Sequence, residues 1–409
     1  MTRFLGPEGK GIYAVFFNNN VLFTLLFSFN VNLAIIYFIS KKKILKEKIL
    51  NVALYIFLFS FLGFILFLTS IYLIIPDNVF FPNGYDTLQY YGFAIVYFSL
   101  TLINSIYSSI FQAFKMFKYV NGLSITNSSI SMIVFLILFL ISPKLNSDIK
   151  IEFVLLSLLS IILLISIIWT VLYIVHIRIL PKFSLDRKLL KIVFSFVIIG
   201  YLSNLLNSFN YRLDIWVVEY YTGLRELGLY SLAVNFSQML WMISTPIVMV
   251  LHPFINSSSK DAQQKYIGLY SRLNTSVIII IGVILLVLSD VLIPLIYGNE
   301  FAGSINSFKI LIFGAIVGGV TKVFAVIMVI NNKLKYNLIS TAVGLAFTLV
   351  LDFVLIPKFG ILGASFATTV SYISIFVVIF YFTIKKLKLP FKNYFIFKLN
   401  DFKELLSNE

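Results

Sequence analysis

The chain of 409 residues contains no cysteine and only two histidines, His176 and His252. The absence of cysteine excludes disulfides, thiolate metal ligands and a cysteine nucleophile. Both histidines fall near the ends of predicted helices, so we expect no metal centre and no cofactor. The sequence also has neither a P-loop nor a nucleophile beside a base. We therefore expect no catalytic residues and a protein that is not an enzyme.

Charged residues are scarce as well, at 12% of the chain, whereas hydrophobic residues make up 60% and the mean hydropathy is +0.97. These values lie outside the range of soluble domains. Apolar runs long enough to cross a bilayer core of about 30 Å recur along the whole sequence. We therefore predict an all-α, polytopic membrane protein. The eleven predicted spans are 12–39, 50–75, 92–114, 121–142, 151–175, 192–221, 227–250, 273–293, 305–330, 337–356 and 363–384.

The net charge of +15 would suggest a nucleic-acid partner in a soluble protein, but here the positive charge is sorted by loop. Alternate loops collect most of the lysines and arginines, and the opposite loops hold few. The positive-inside rule then places the basic loops and the C-terminus in the cytoplasm. We predict a multi-pass protein of the cytoplasmic (inner) membrane, with membrane lipids and no nucleic acid among its partners.

One spaced pattern of residues occurs twice along the chain. Both copies are a turn followed by a long apolar helix with a polar residue inside it. Repeats of this kind are typical of transporters made by duplication, so we predict two pseudo-symmetric helical bundles related by an axis along the membrane normal. The recurring residues are Gly6, Gly11, Tyr13 and Asn18 in the first copy and Gly223, Gly228, Tyr230 and Asn235 in the second.

The second copy of the pattern follows a predicted helix at 192–221, and no counterpart precedes the first copy. Eleven spans with a cytoplasmic C-terminus would also leave the N-terminus outside, although no cleavable signal precedes it. We therefore expect that the chain lacks the first of twelve transmembrane helices, which leaves five spans in the first bundle and six in the second.

The predicted domains are an N-terminal bundle at 1–180, a C-terminal bundle at 181–384 and a basic cytoplasmic tail at 385–409. The tail alternates lysines with leucine and phenylalanine. Such a segment either lies on the anionic inner leaflet or is solvated, and the sequence leaves both alternatives open.

Polar residues inside the predicted spans are the candidates for function. A charged side chain near the bilayer centre costs about 2.5–3.5 kcal/mol on insertion scales, so it usually faces a partner or a wet cavity. We interpret Arg212 and Asp214 as lining a central aqueous path, although an interhelical ion pair that locks the bundle also explains them. At helical spacing, one face of span 192–221 carries Ser203, Asn207, Asn210 and Asp214, and a neighbouring stripe carries Ser208, Arg212 and Glu219.

Amides and a deep lysine extend this set. Asn235 and Gln238 follow on the next helix, and Asn18 occupies the corresponding region of the first half. Amides suit sugar hydroxyls, but they also join membrane helices to one another. Lys322 is predicted to lie too deep to reach the surface, and therefore to face a cavity.

Other polar and aromatic residues in the spans have simpler explanations. We expect Asp290 and Asp352 at the membrane interface, because both lie near helix ends. We expect the tryptophans, Trp241 among them, to serve in aromatic belts and packing.

Four stretches of the sequence together carry a family likeness, namely RFLGPEGKGIYA, YRLDIWVVEYYTGLRELGLYSLAVNFSQ, LIPLIYGNEFAGSINSFKIL and LVLDFVLIPKFGILGASFATTVSY. The chain resembles the polysaccharide or oligosaccharide (O-antigen-type) flippases of the multidrug/oligosaccharidyl-lipid/polysaccharide (MOP) exporter superfamily. Asp352 departs from that pattern, because the family more often shows an asparagine there.

The resemblance implies a V-shaped pair of bundles that moves a polyprenyl-pyrophosphate-linked oligosaccharide across the membrane by alternating access during cell-surface polysaccharide biosynthesis. It also implies a glycan polymerase and glycosyltransferases as partners. Arg3, Arg212 and Lys322 would meet the anionic head group, with Asp214 orienting Arg212. The candidate substrate-binding residues are Arg3, Arg212, Asp214, Lys322, Asn235, Gln238 and Asn18.

Three alternatives remain open from the sequence. A drug or cation antiporter of the same superfamily is the first, although its usual acidic site in the first half is not visible. A membrane O-antigen polymerase or glycosyltransferase is the second, but the outer loop at 76–91 is short and lacks arginine. A non-transporting fragment is the third.

Overall fold

The structure is a computed structural model of the 409-residue chain. It describes all residues except 41–44, 75–79, 83, 86, 142–146, 180–181, 184–185, 249–259, 332, 388–394, 396–400 and 402–409. Every regular element within the described residues is helical, which confirms the predicted all-α class. The helices are α1 (Thr2–Ser28), α2 (Val31–Ser40), α3 (Lys46–Ile74), α4 (Leu88–Ala113), α5 (Phe117–Ile141), α6 (Ser147–His176), α7 (Arg187–Gln238), α8 (241–248), α9 (Lys260–Tyr297), α10 (Ser304–Ile330) and α11 (Leu334–Leu387).

Eight helices in the described part of the chain are long and apolar enough to cross a membrane, and a ninth span is counted when the bent pair 187–198 and 200–248 is included. Helix α11 contains two of the predicted spans, 337–356 and 363–384. Helix α7 contains span 192–221 and the first half of span 227–250, which a turn at 239–240 separates from α8. Helix α7 is broken at Gly223 (φ 82°, ψ 174°), and helix α11 is broken at Gly360 (φ 56°, ψ −136°). Glycine adopts these positive φ angles without a Cβ clash, so the two glycines mark the turns between spans.

The first predicted span, 12–39, is divided in the structure, which corrects the expectation of one helix. Helix α1 ends before Phe29 and Asn30, and both residues have left-handed backbone angles (φ 47° and 53°). The Phe29 ring packs against Phe194 and Tyr201, with ring centroids 5.6 and 5.9 Å away. Left-handed angles are unfavourable for non-glycine residues, and this aromatic packing offsets their cost.

The internal repeat has a structural counterpart. Gly6 (φ 69°, ψ 178°) and Gly223 (φ 82°, ψ 174°) share one unusual backbone conformation at the start of their copies. A Cβ on Gly11 would lie 2.7 Å from the carbonyl carbon of Leu224, and a Cβ on Gly228 would lie 2.7 Å from that of Pro7. The two copies therefore pack backbone against backbone in a reciprocal way, which only glycine permits at these two positions. We call this contact the glycine clasp.

The chain folds into two compact units. Unit 1 comprises Met1–Leu5 and Ile12–Ser208, and unit 2 comprises Gly6–Gly11 and Phe209–Glu409. The core of unit 1 includes Ile35, Ile110, Phe111, Trp169 and Val197, and a core cluster of unit 2 includes Ile267, Val323, Phe324, Met328 and Ile379. The sequence-based boundary after residue 180 stays a prediction.

Beyond the end of α11, the C-terminal tail contributes to unit 2 at the two positions that the structure describes, Phe395 and Asp401. The Phe395 ring lies 5.3 Å from that of Phe380. Asp401 is 3% exposed and pairs with Arg272 of α9 through both carboxylate oxygens, and the Arg272 Nε donates at 2.7 Å. The rest of the tail beyond α11 lies outside the described residues, so the two alternatives for it stay predictions.

Candidate functional site

The polar face of α7 is buried within unit 2, where the sequence places Asn210 and Asp214 one helical turn apart. Both residues are 2% exposed. The Asn210 Oδ1 accepts hydrogen bonds from the Thr348 hydroxyl at 2.9 Å and the Ser371 hydroxyl at 3.0 Å. Because Thr348 and Ser371 lie in the two halves of α11, Asn210 joins both halves to α7.

Asp214 is held by hydroxyl groups. Its Oδ2 accepts from the Tyr230 hydroxyl and, at 3.4 Å, from the Thr368 hydroxyl. The Tyr230 and Thr368 hydroxyl oxygens are themselves 2.9 Å apart. Tyr230 is fully buried, so the tyrosine of the second repeat copy serves to fix this carboxyl group. The Asp214 Oδ1 has no hydrogen-bond partner among the described residues.

Asp352 is buried within unit 2. It is only 1% exposed, and within the described part of the chain neither of its carboxylate oxygens has a hydrogen-bond partner. Its location at the membrane interface stays a prediction. It lies close enough to Asp214 for the two carboxyl groups to interact electrostatically. The sequence signal for this burial is an aspartate within the apolar run LVLDFVLIP.

Arg212 lies on the neighbouring stripe of α7 and is half-buried. Its guanidinium group interacts electrostatically with Asp214 and with the hydroxyl of Tyr372 on α11. The Gln238 Nε2 donates a hydrogen bond to the same Tyr372 hydroxyl at 3.1 Å. One tyrosine hydroxyl therefore connects two of the candidate residues, Arg212 and Gln238.

Three aromatic rings form the centre of this region. Tyr211, Trp241 and Tyr372 contact one another in all three pairs, with ring centroids 5.5, 5.5 and 5.6 Å apart. The Trp241 indole nitrogen donates to the Ala315 carbonyl at 2.9 Å, which fixes the ring against α10. The Lys322 ammonium lies 4.9 Å from the Trp241 ring centroid, within cation–π range. The packing predicted for Trp241 is thus confirmed, whereas its contact with Lys322 was not predicted.

We call Arg212, Gln238 and Lys322, together with the three rings, the aromatic–basic cluster. All three polar members are half-buried. The other candidates lie elsewhere. Asn235 is exposed in unit 2, and no hydrogen bond joins it to the cluster within the described residues. Arg3 is exposed in unit 1, 5.7 Å from the Phe139 ring, and Asn18 is fully buried in unit 1.

The chemistry of unit 2 is thus of two kinds. The aromatic–basic cluster offers a guanidinium, an ammonium, an amide and ring faces, which suit phosphates and sugars. Asp214, Asp352 and the Thr368 hydroxyl offer hard oxygen atoms, which suit a proton or a small cation. Within the described residues no three or more His, Cys, Asp or Glu side chains group together in a way that could hold a metal ion.

The fold defines the class of protein. The structure superposes on an inward-facing multidrug resistance MATE family transporter of the MOP superfamily with a TM-score of 0.71, over 95% of this chain and 93% of the other, at 11% identity. It also superposes on the lipid II flippase MurJ in an inward closed conformation with a TM-score of 0.65, over 100% of this chain and 88% of the other, at 14% identity. The chain therefore has the fold of the MOP transporters, a class of multi-pass membrane proteins.

The family follows from the sequence comparison. The profile of the family described as "Polysaccharide biosynthesis protein" matches residues 1–259, so the chain belongs to that family. Together with the fold, this match confirms the family resemblance that the sequence predicts, and the matched region includes the first two of the four stretches.

Two relatives are similar in sequence. An uncharacterized membrane protein of Methanocaldococcus jannaschii is 24% identical over 326 residues, or 73% of this chain. A probable low-salt glycan biosynthesis flippase of Haloferax volcanii is 24% identical over 198 residues, or 47% of this chain. The chain matches 60% and 41% of the length of these two proteins.

Proposed function

We propose that the protein translocates a polyprenyl-pyrophosphate-linked oligosaccharide across the cytoplasmic membrane by alternating access, as a step of cell-surface polysaccharide biosynthesis. The family membership, the glycan flippase among the relatives and the lipid II flippase among the structural neighbours support this proposal. The protein acts as a transporter without catalytic residues, its C-terminus lies in the cytoplasm, and glycosyltransferases and a glycan polymerase act before and after it.

The observation that carries the proposal is the aromatic–basic cluster. Two cationic side chains, Arg212 and Lys322, lie half-buried in helices that cross the membrane, where an unused charge would be costly. A guanidinium group binds phosphate oxygens in a bidentate manner, and an ammonium adds a second positive charge. The amide of Gln238 and the rings of Trp241 and Tyr372 can hold the sugars next to the diphosphate.

The roles of the remaining candidates are also part of the proposal. Arg3 and Asn235, which are exposed, contact the head group or sugars at other stages of the transport cycle. Asn18, which is fully buried, holds the helix that carries it in place. Asp214 acts on Arg212 through its negative charge, because the Oδ2 atom of Asp214 already accepts hydrogen bonds from the Tyr230 and Thr368 hydroxyls.

Genetic complementation tests this function. We expect Arg212→Gln and Lys322→Gln to fail to restore glycan display in a flippase-null strain, although both insert into the membrane at normal levels. Lys309→Gln is the matched control, because Lys309 is also a lysine of α10 but forms an exposed ion pair with Asp290 at 2.8 Å. Full complementation by the Arg212 variant would remove the cluster from the mechanism.

The pair of buried carboxyl groups favours a second candidate, a cation-coupled antiporter of the same superfamily. Asp214 and Asp352 provide an acidic site in unit 2, whereas the sequence showed none in the first half. The two candidates differ in their cargo. An imposed sodium or proton gradient that drives export of an organic cation, but not of a lipid-linked oligosaccharide, from proteoliposomes would favour the antiporter.

A further inference from the structure

A partly open cavity of about 360 Å³ lies between α3, α4 and α6, within unit 1. Its walls are mostly hydrocarbon, with Leu50, Leu54 and Phe57 on α3 and Ile106 and Ile110 on α4. These positions follow helical spacing, so they form a stripe on each helix. We call this cavity the slot.

The slot runs along the helix axes. Leu50 and Phe57 are seven residues apart on α3, which corresponds to roughly 10 Å at the helical rise of about 1.5 Å per residue. The slot therefore extends for about 10 Å along α3, parallel to a helix that is long and apolar enough to cross the membrane. A lipid hydrocarbon chain in the same leaflet has this orientation as well.

The few hydroxyl groups beside the slot are already engaged. The Thr170 hydroxyl donates to the carbonyl of Ser166 at 2.8 Å and lies 3.5 Å from the Tyr107 hydroxyl. The Tyr173 hydroxyl donates to the Ile179 carbonyl. The lining of the slot is therefore mostly hydrocarbon, and its hydroxyl groups already form hydrogen bonds within the protein. Such a lining suits an acyl chain, which can form no hydrogen bonds.

A positive charge marks one end of the slot. Lys46 precedes Leu50 by one helical turn, is exposed, and holds its ammonium 4.4 Å from the Phe114 ring centroid. Within the described residues no carboxylate pairs with it. Lys48, two residues further on, is different, because it lies 3.9 Å from Asp186. An ammonium at the mouth of a hydrocarbon slot complements a lipid with a phosphate and a net negative charge.

We propose that the slot binds one acyl chain of an anionic phospholipid, whose phosphate contacts Lys46. In the orientation that the basic loops predict, this end of α3 faces the cytoplasm, and the lipid belongs to the inner leaflet. The site lies wholly within unit 1 and uses no residue of the aromatic–basic cluster, so it goes beyond the proposed function and does not rest on it.

The proposal is tested by identifying the phospholipid that stays bound to the full chain after detergent extraction. The protein is reconstituted into vesicles of equal phosphatidylglycerol and phosphatidylcholine, extracted in mild detergent, and its bound phospholipids are counted by native mass spectrometry. We expect about one phospholipid per chain and roughly a fivefold preference for phosphatidylglycerol, the effect of one lysine at the surface. Lys46→Gln should abolish that preference, and Lys48→Gln should preserve it.

A second pair of variants tests the slot itself. Leu54→Trp fills the cavity and should remove the bound phospholipid. Leu66→Trp, at a position on the same helix that is 68% exposed, should retain it. The proposal is overturned if Leu54→Trp binds as much phospholipid as the unchanged chain, or if Lys46→Gln keeps the preference for phosphatidylglycerol.

Discussion

At the scale of single residues, Gly11 and Gly228 leave no space for a Cβ atom between the two copies of the repeat. Each lies against a backbone carbonyl of the other copy, and backbone atoms cannot move aside as a side chain can. We expect Gly11→Ala and Gly228→Ala to destabilise the protein by at least about 1–3 kcal/mol, the usual cost of overpacking. Thermal unfolding in detergent, followed by tryptophan fluorescence, measures the effect.

Gly122→Ala is the matched control for this prediction. Gly122 lies in α5, and a Cβ there would meet nothing within 4 Å. Alanine is the better helix former, so this variant should unfold at the same temperature as the unchanged chain or slightly above it. If Gly11→Ala is as stable as Gly122→Ala, the glycine clasp is not a close backbone contact.

Asp352 provides a second prediction at the residue scale. It is buried beside Asp214 without a hydrogen-bond partner in the described part of the chain, and burial of such a group costs stability. We expect Asp352→Asn to preserve or raise the unfolding temperature. The antiporter candidate further predicts that this variant loses the dependence of transport on a sodium or proton gradient.

Asp290→Asn serves as the comparison for Asp352→Asn. Asp290 belongs to an exposed ion pair with Lys309, and such pairs contribute little. This variant should leave both stability and gradient dependence unchanged. A strongly destabilised Asp352→Asn protein whose transport responds normally to the gradient would contradict a role in coupling.

At the scale of elements, the tail residue Asp401 contributes to stability, because it forms a buried ion pair with Arg272 of α9. Breaking one side of such a pair costs about 3–5 kcal/mol, since the other charge stays buried. Asp401 is 3% exposed, and Arg272 is 8% exposed. We therefore expect Asp401→Ala to lower the unfolding temperature by several degrees, as measured by fluorescence-detected size-exclusion chromatography after heating.

Replacing both partners tests whether the pair itself is responsible. Arg272→Met with Asp401→Leu removes both charges and should recover much of the stability that Asp401→Ala loses. Equal unfolding temperatures for the Asp401→Ala variant and the unchanged chain would mean that the tail is not bound to α9 in the membrane.

The elements also show what the sequence could predict. Hydropathy located the spans, because a long apolar run in a protein is typical of a helix that crosses the membrane. The break at Gly223 coincides with a glycine of the repeat. The break at Phe29 and Asn30 was not predictable, because rings from α3 and α7 hold it in place. The burial of Asp352 and the ring contacts of Trp241 likewise depend on partners far away in the chain.

The whole molecule consists of two compact units, and the two copies of its repeat contact each other at the glycine clasp. It belongs to a family of polysaccharide biosynthesis proteins. Composition and periodicity sufficed for the membrane class, and the repeat pointed to duplication. Residue types within the spans selected Arg212, Gln238 and Lys322, which the structure brings to one aromatic centre. The same approach could not separate these from Arg3, Asn18 and Asn235, because exposure depends on the folded neighbours.

The most direct test of the central claim is the initial rate of flipping of a fluorescent polyprenyl-pyrophosphate-linked oligosaccharide in proteoliposomes, measured by quenching of the outer leaflet. We expect a rate well above that of protein-free vesicles, and a loss of at least tenfold in the double variant Arg212→Gln, Lys322→Gln. The Lys309→Gln protein should keep the full rate. A rate equal to that of protein-free vesicles would disprove the flipping activity, and an unchanged rate in the double variant would exclude the aromatic–basic cluster as its site.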